Sequence, residues 1–342
     1  MIFPPELASE IQKGIHLGRY KTTQDFILTA VQNQVYIENS DISDGGSLEN
    51  SGPSSVRPKT ASVTVSTLAG SDAKHLLRMP EGSSVKTVPL GELTRPTYLW
   101  GQYNRLFPVK IIMRVAANLS GPDGSGYVPL EELQEESADI AREMGRLILR
   151  KDRALGRKRG DIISAALPIG RNEDKTKTRF KNQFVGFLTR NRVEGAASVL
   201  KFLDITRTDK NRILAGITDL GLKFASLPNP IIDEDDYSTA FSPEEVEFLL
   251  NHIASEVPEE AKLVSLVLGG IRKGVATPEQ LNDLVRSHNP DWNENQAIAI
   301  RSGIVSRMSE LGLLGRNKDG VKVTYILNEL GENYLERLGM AT

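Results

Sequence analysis

Apolar positions recur at helical spacing over the last two thirds of the chain. Leu99, Trp100, Tyr103, Leu106, Phe107, Val109, Ile111, Ile112, Val115 and Leu119 are apolar most of the way round, which predicts a buried helix. Pro108 predicts a new start or a kink within it. Leu133, Ile140, Met144, Leu147, Ile148 and Leu149 predict a long helix over 130–155. Further helices are predicted over 175–184, with Phe180, Phe184 and Phe187 on the buried side, and over 193–202. The spacing then shortens. Ile205-Thr206-Arg207 and Arg212-Ile213-Leu214 flank Thr208-Asp209-Lys210-Asn211, a two-stranded hairpin with a polar, basic tip. Thr218 caps the helix that follows.

Pro228-Asn229-Pro230 and the acidic run Asp233-Glu234-Asp235-Asp236 predict a domain boundary. Beyond it, helices are predicted at 242–255, 258–273, 277–288 and 293–311. Ser242-Pro243-Glu244-Glu245 and Thr277-Pro278-Glu279-Gln280 are capping signatures with proline at the first helical position. Asn317-Lys318-Asp319-Gly320 turns between strands over 313–316 and 321–327, and Asn328 opens a last helix. The order helix, hairpin, helix thus occurs twice. Ile217-Thr218-Asp219-Leu220-Gly221 and Leu327-Asn328-Glu329-Leu330-Gly331 occupy the same place after each hairpin. Each copy resembles a winged-helix DNA-binding domain, a resemblance covering about 98–230 and 238–340. It implies that the hairpin wings lie along a phosphate backbone.

The first forty residues differ. Leu7, Ile11 and Ile15 share one helical face after Pro4-Pro5-Glu6, and Gly18 ends that helix. Phe26, Ile27, Ala30, Val31 and Val35 form a second face behind Thr22 or Thr23. With Gly18-Arg19-Tyr20 between them, the segment 1–37 resembles the ribbon-helix-helix family of DNA-binding dimers. Only Met1, Ile2 and Phe3 precede the prolines, so the strand that reads bases in that family is nearly absent, and the resemblance implies a homodimer. Residues 38–93 are rich in Ser, Gly, Asn, Asp and Pro and are expected to be a disordered tether. The expected architecture is therefore mainly α with small β-hairpin wings: a helical hairpin (1–37), a linker (38–93), a basic winged helix (94–232) and an acidic one (233–342).

Charge gives these elements a partner. Between Arg146 and Arg192 there are fourteen Lys or Arg and four acids, in a chain whose formal net charge is −2. From Asp233 onward nineteen acids face ten bases. A cationic segment on an otherwise acidic protein concentrates the field of a polyanion, and nucleic acid is the commonest one. The expected contacts with double-stranded DNA are Arg150, Arg153, Arg157, Lys158, Arg159, Lys175, Lys177, Arg179, Lys181, Asn182, Arg190, Arg192, Arg207, Lys210 and Arg212. A second set follows from the C-terminal copy: Arg301, Arg307, Arg316, Lys318 and Lys322, with Asn295 and Gln296. Asn, Gln and Arg read base edges, and Lys and Arg hold phosphates. The acidic copy equally suits a protein partner.

Catalytic chemistry finds no foothold. There is no cysteine, and the four histidines are far apart. Gly269-Gly270-Ile271-Arg272-Lys273-Gly274 lacks phosphate-loop spacing. Gly121 to Glu132 resembles the later positions of a calcium loop, but Gly121 stands where the first carboxylate belongs, so a turn, a short strand and a helix start are expected instead. No enzyme, cofactor, metal or membrane span is expected, and the cytoplasm is the expected compartment. The expected function is a DNA-binding transcriptional regulator. The alternatives are a non-catalytic subunit of a DNA-processing or defence complex, and a plasmid replication or partition protein.

Overall fold

The computed structural model describes residues 75–80, 85–120, 125–158, 160–319 and 322–338, together with Gln12, Thr22 and Thr23. The chain divides into two compact units between Thr64 and Val65. The hairpin expected over 1–37 lies outside the described residues, save that Gln12 and Thr23 stand in helix. The second unit is mainly helical, with small antiparallel sheets.

Pro108 does start a helix. α1 (Phe107–Leu119) is buried nearly all round, Lys110 and Arg114 included. A short strand β1 (Tyr127–Pro129) leads into α2 (Leu130–Ala154), whose first turn carries Glu131 and Glu132 and whose last carries Lys151 and Arg153, each suiting the helix dipole. α3 (Glu173–Phe180) is capped by the Asn172 side chain and runs on as a wider turn over Lys181–Val185.

The helix expected over 193–202 is mostly not one. β2 (Phe187–Thr189) pairs with β3 (Arg192–Glu194), and only α4 (Ala196–Val199) is helical. The cause is a pair of glycines. Gly186 (φ 118°) and Gly195 (φ 127°) lie back to back, and a Cβ on Gly195 would overlap the Gly186 backbone. Next come β4 (Leu203–Arg207), β5 (Ile213–Ile217), α5 (Asp219–Ser226) and the short α6 (Pro230–Asp233). β1 pairs with the free edge of β5, so the sheet order is β1-β5-β4.

The second half follows the capping signals closely. α7 (Pro243–Glu256), α8 (Pro258–Arg272), α9 (Pro278–His288) and α10 (Glu294–Glu310) lead to the hairpin β6 (Leu314–Asp319) and β7 (Lys322–Leu327), then α11 (Glu329–Arg337). Capping boxes form at Ser242, Thr277 and Asn293. Ala276, ahead of α9, accepts a hydrogen bond from the Tyr325 amide on β7 (2.9 Å). It stands against that hairpin as β1 stands against β5.

Two expectations need correction. The tether expected over 38–93 ends too late. Leu77 and Val88 are buried, Val88 N–H donates to Ile217 O (2.9 Å), and Val88 fits over Gly126 and Gly216, where no side chain stands in its way. The boundary expected at Asp233 also falls inside one continuous core. Phe224 of the first half stacks on Phe248 of the second at 5.7 Å, and His252 lies on Phe202 at 4.4 Å.

Ion pairs reinforce this seam. The Lys110 ammonium is fully buried, 2.8 Å from Glu245, and donates to Phe224 O and Leu227 O at the end of α5 (both 2.7 Å). Arg307, also fully buried, lies 2.5 Å from Glu260 and donates to Tyr103 O (2.7 Å) and Leu99 O (3.3 Å). Glu310 accepts the Leu106 amide (2.6 Å) at the start of α1. A Cβ on Gly101 would overlap the Ala299 backbone, so the two backbone segments touch directly.

His252 supplies a pH handle on this core. Burial lowers its pKa below the usual 6.5, although the ring nitrogen bonds Leu200 O at 2.6 Å. The unfolded chain therefore takes up a proton that the folded chain refuses. Stability should fall as pH drops below 6.5, and urea midpoints at pH 7 and pH 5 should differ less in His252→Gln than in the parent.

Candidate nucleic-acid interface

The cations expected to meet DNA do not share one environment. Some are spent internally. Lys177 pairs with Asp139 and with Glu173 (2.8 Å to the latter), and Lys181 pairs with Glu135. Asp139 and then Glu173 push the Lys177 pKa above the ordinary lysine range. Asp139 and Glu135 lie on α2, which α3 and its wider turn pack against, and Glu173 lies on α3 itself, so this face of α3 is neutralised. Arg179 and Asn182 remain exposed beside it, and so does Lys175.

Arg157 is structural too. It lies 2.8 Å from Asp152 and donates to Tyr237 O and Ser238 O of the second half. Asp152 also accepts the Ile163 and Ser164 amides, which folds the loop after α2 back on itself. Burial pushes the Asp152 carboxyl up, but bonds from Ser164, Arg157 and Ile163 outweigh it and hold the pKa below the usual value. Arg159 lies outside the described residues.

In the second set, Arg307 has no exposed surface and cannot touch a ligand. Arg301 turns inward to Asn282 Oδ1 (2.8 Å) and the Tyr325 hydroxyl (3.5 Å). The reason is the seam: α10 carries both arginines, and its flanks are covered by segment 99–105 and by the β6–β7 hairpin.

Apart from Lys175, Arg179 and Asn182 on α3 and its wider turn, what remains falls in two clusters. The first is at the hairpin tips of the first half. Arg190 and Arg192 stand at the β2–β3 turn, and Arg207, Lys210 and Arg212 at the β4–β5 turn, all exposed. Asn191, Ile205 and Thr206 line one open cleft together with Gly91, Glu92, Leu93 and Thr94, so both hairpins border the same space. Arg192 reaches Glu194 (3.1 Å) and Arg207 bonds Asn211 (3.0 Å), whereas Arg190, Lys210 and Arg212 form no ion pair among the described residues. Arg190 (φ 55°) and Asn211 (φ 62°) take left-handed backbone, which turns each tip sharply and projects its side chains.

The second cluster joins the two halves. Arg150, Arg153 and Lys158 are exposed on the last turns of α2 and the loop beyond it. The Arg316 side chain lies against Gly160, its Cδ 3.8 Å from where a Cβ on Gly160 would stand. Lys318 and Lys322 continue outward along the C-terminal hairpin, both exposed. The motifs showed each cluster's cations but not this adjacency, because residues 158 and 316 belong to different copies of the repeat.

No helix among the described residues is long and apolar enough to cross a membrane, and no group of three or more metal-ligating side chains occurs among them. No family model, curated protein or solved structure matches this chain.

Proposed function

We propose that this protein binds double-stranded DNA through two winged-helix units fused by a shared core, and that it acts as a transcriptional regulator. The observation that carries the reading is the pair of basic hairpin tips on one cleft, with Arg190, Lys210 and Arg212 free of ion pairs among the described residues. Topology supports it. Each half has a helix, a strand or single bridging residue, further helices and a hairpin, and β1-β5-β4 is the order in which a winged helix builds its sheet. Exposed guanidinium and ammonium groups on rigid tips grip phosphates and release counterions.

Duplex binding, read by fluorescence anisotropy between 50 and 200 mM salt, should weaken steeply. Changing Arg207, Lys210 and Arg212 together to Glu should lower affinity at least about tenfold and flatten the plot of log K against log salt by about 3, since each lost phosphate contact removes roughly 0.9. No duplex affinity at low salt would overturn the proposal.

One observation favours assembly with another protein instead. α4, the helix ahead of the β4–β5 hairpin, is four residues long and buried throughout, so the helix next to this hairpin cannot lie in a groove. That reading gains if the parent protein shows no affinity for any duplex.

A further inference from the structure

The acidic half holds the one long helix ahead of a hairpin, α10, yet contributes few cations of its own. Its inward residues are Ala297, Ile300, Ile304 and Met308. Asn295, Ala299 and Ser302 are exposed, and their i, i+4, i+7 spacing makes a narrow strip of small, uncharged side chains. Such a strip can approach base edges closely, and Asn is a base reader.

Both ends of this strip meet cationic segments from the other half. At its start, Trp292 precedes the cap Asn293, and its ring packs on Tyr98 at 5.6 Å. Tyr98 follows Thr94, whose backbone brackets the β2–β3 tip: Thr94 N–H donates to Asn191 O (3.1 Å) and Val193 N–H donates to Thr94 O (2.9 Å). The β2–β3 tip that carries Arg190 and Arg192 is thereby tied, through residues 94–98, to the start of α10. At its end, the Arg105 guanidinium donates to both Ser306 O (2.8 Å) and Gly160 O (3.2 Å). The loop carrying Lys158 is thus pinned beside the last turns of α10, with Arg316 against it. From Asn293 to Ser306 the helix rises about 20 Å at 1.5 Å per residue. The major groove is about 12 Å wide and admits an α-helix, whose ends then lie beside the flanking phosphates.

We infer that α10 and these two segments form a single duplex-DNA surface crossing the seam, in which the basic half, joined by Arg316 of the C-terminal hairpin, supplies the phosphate contacts for the helix of the acidic half. The inference rests on the DNA-binding reading above and adds which residues read and which hold. It gives the C-terminal unit DNA as its partner, and it explains why that unit works without a net positive charge of its own.

The test uses the full chain and a duplex recovered from a genomic fragment library. Two paired reversals are made, Arg190→Glu with Arg192→Glu and Lys158→Glu with Arg316→Glu. Each pair should weaken binding at least about tenfold and flatten the salt plot by about 2. Asn295→Ala should instead abolish the preference for the selected duplex over a scrambled one while leaving the salt slope alone. Thermal melting reports folding. If a reversal lowers it, the same positions changed to Gln carry the test, with a smaller loss expected. Wild-type affinity and slope in both pairs, alongside weakened binding by the Arg207, Lys210 and Arg212 variant, would overturn this surface and leave the proposed function standing. No binding by the parent would overturn both.

Discussion

Arg307→Ala is expected to lower stability by about 3–5 kcal/mol, because the Glu260 carboxylate would be left buried without its partner. For a body of this size that is a fall in melting temperature of roughly 10 °C. The loss has two parts. One is the stranded charge. The other is the set of carbonyls at Leu99 and Tyr103 that the guanidinium now satisfies, while Glu260 itself accepts the Leu99 amide at 3.0 Å. The two separate in a second variant. Arg307→Met with Glu260→Leu removes both charges and should recover much of the loss, but not the share owed to the carbonyls. Urea midpoints of the three proteins decide it, and a single variant within about 1 kcal/mol of the parent would show that the pair does not hold the seam.

Lys110→Met should be comparably severe, about 3–5 kcal/mol, for the same reason at the other end of the seam. This site adds a dependence on pH. Burial drives the Lys110 pKa down from 10.5 to about 8, against the pull of Glu245 upward. Burial likewise raises the Glu245 carboxyl, and Lys110 only partly offsets it. Between pH 8 and 10.5 the unfolded lysine holds its proton while the folded one gives it up, so this group's contribution to stability rises with pH across that window. The parent should gain on Lys110→Met as pH climbs from 8 to 10. Tyr103, Tyr127 and Tyr334, pushed up to about 12 chiefly by burial, are common to both proteins and cancel in the difference. A difference that stays flat or shrinks would mean that the amine is not penalised inside the fold.

Local signals in the chain gave reliable local structure. The caps at Ser242 and Thr277 form with their expected partners, and the Leu and Ile spacing over 130–155 predicts α2 to within a residue. Failure came where two distant segments decide the outcome. Val193 carries a helical apolar pattern, yet it is in a strand because Gly195 must meet Gly186 backbone to backbone. Lys177 and Lys181 look like solvent-facing cations until α2 brings Asp139 and Glu135 beside them. Lys110 and Arg307 show the same difficulty in a sharper form. Each sits in an apolar helix pattern as an apparent exception, and its partner carboxylate lies 135 or 47 residues away. Glu245 was visible only as a helix cap, and it is also the counter-ion of Lys110.

The separation of those partners also governs how the chain can be made. Tyr103 and Leu106 must wait for Arg307 and Glu310, each 204 positions downstream. At a synthesis rate of 5–20 residues per second that wait is about 10–40 s. Throughout it the nascent first half carries an uncovered apolar helix and a lysine without its carboxylate. Its natural protector in that interval is a chaperone at the ribosome exit, and a message broken before the last helices yields not half a folded protein but an aggregation-prone polypeptide.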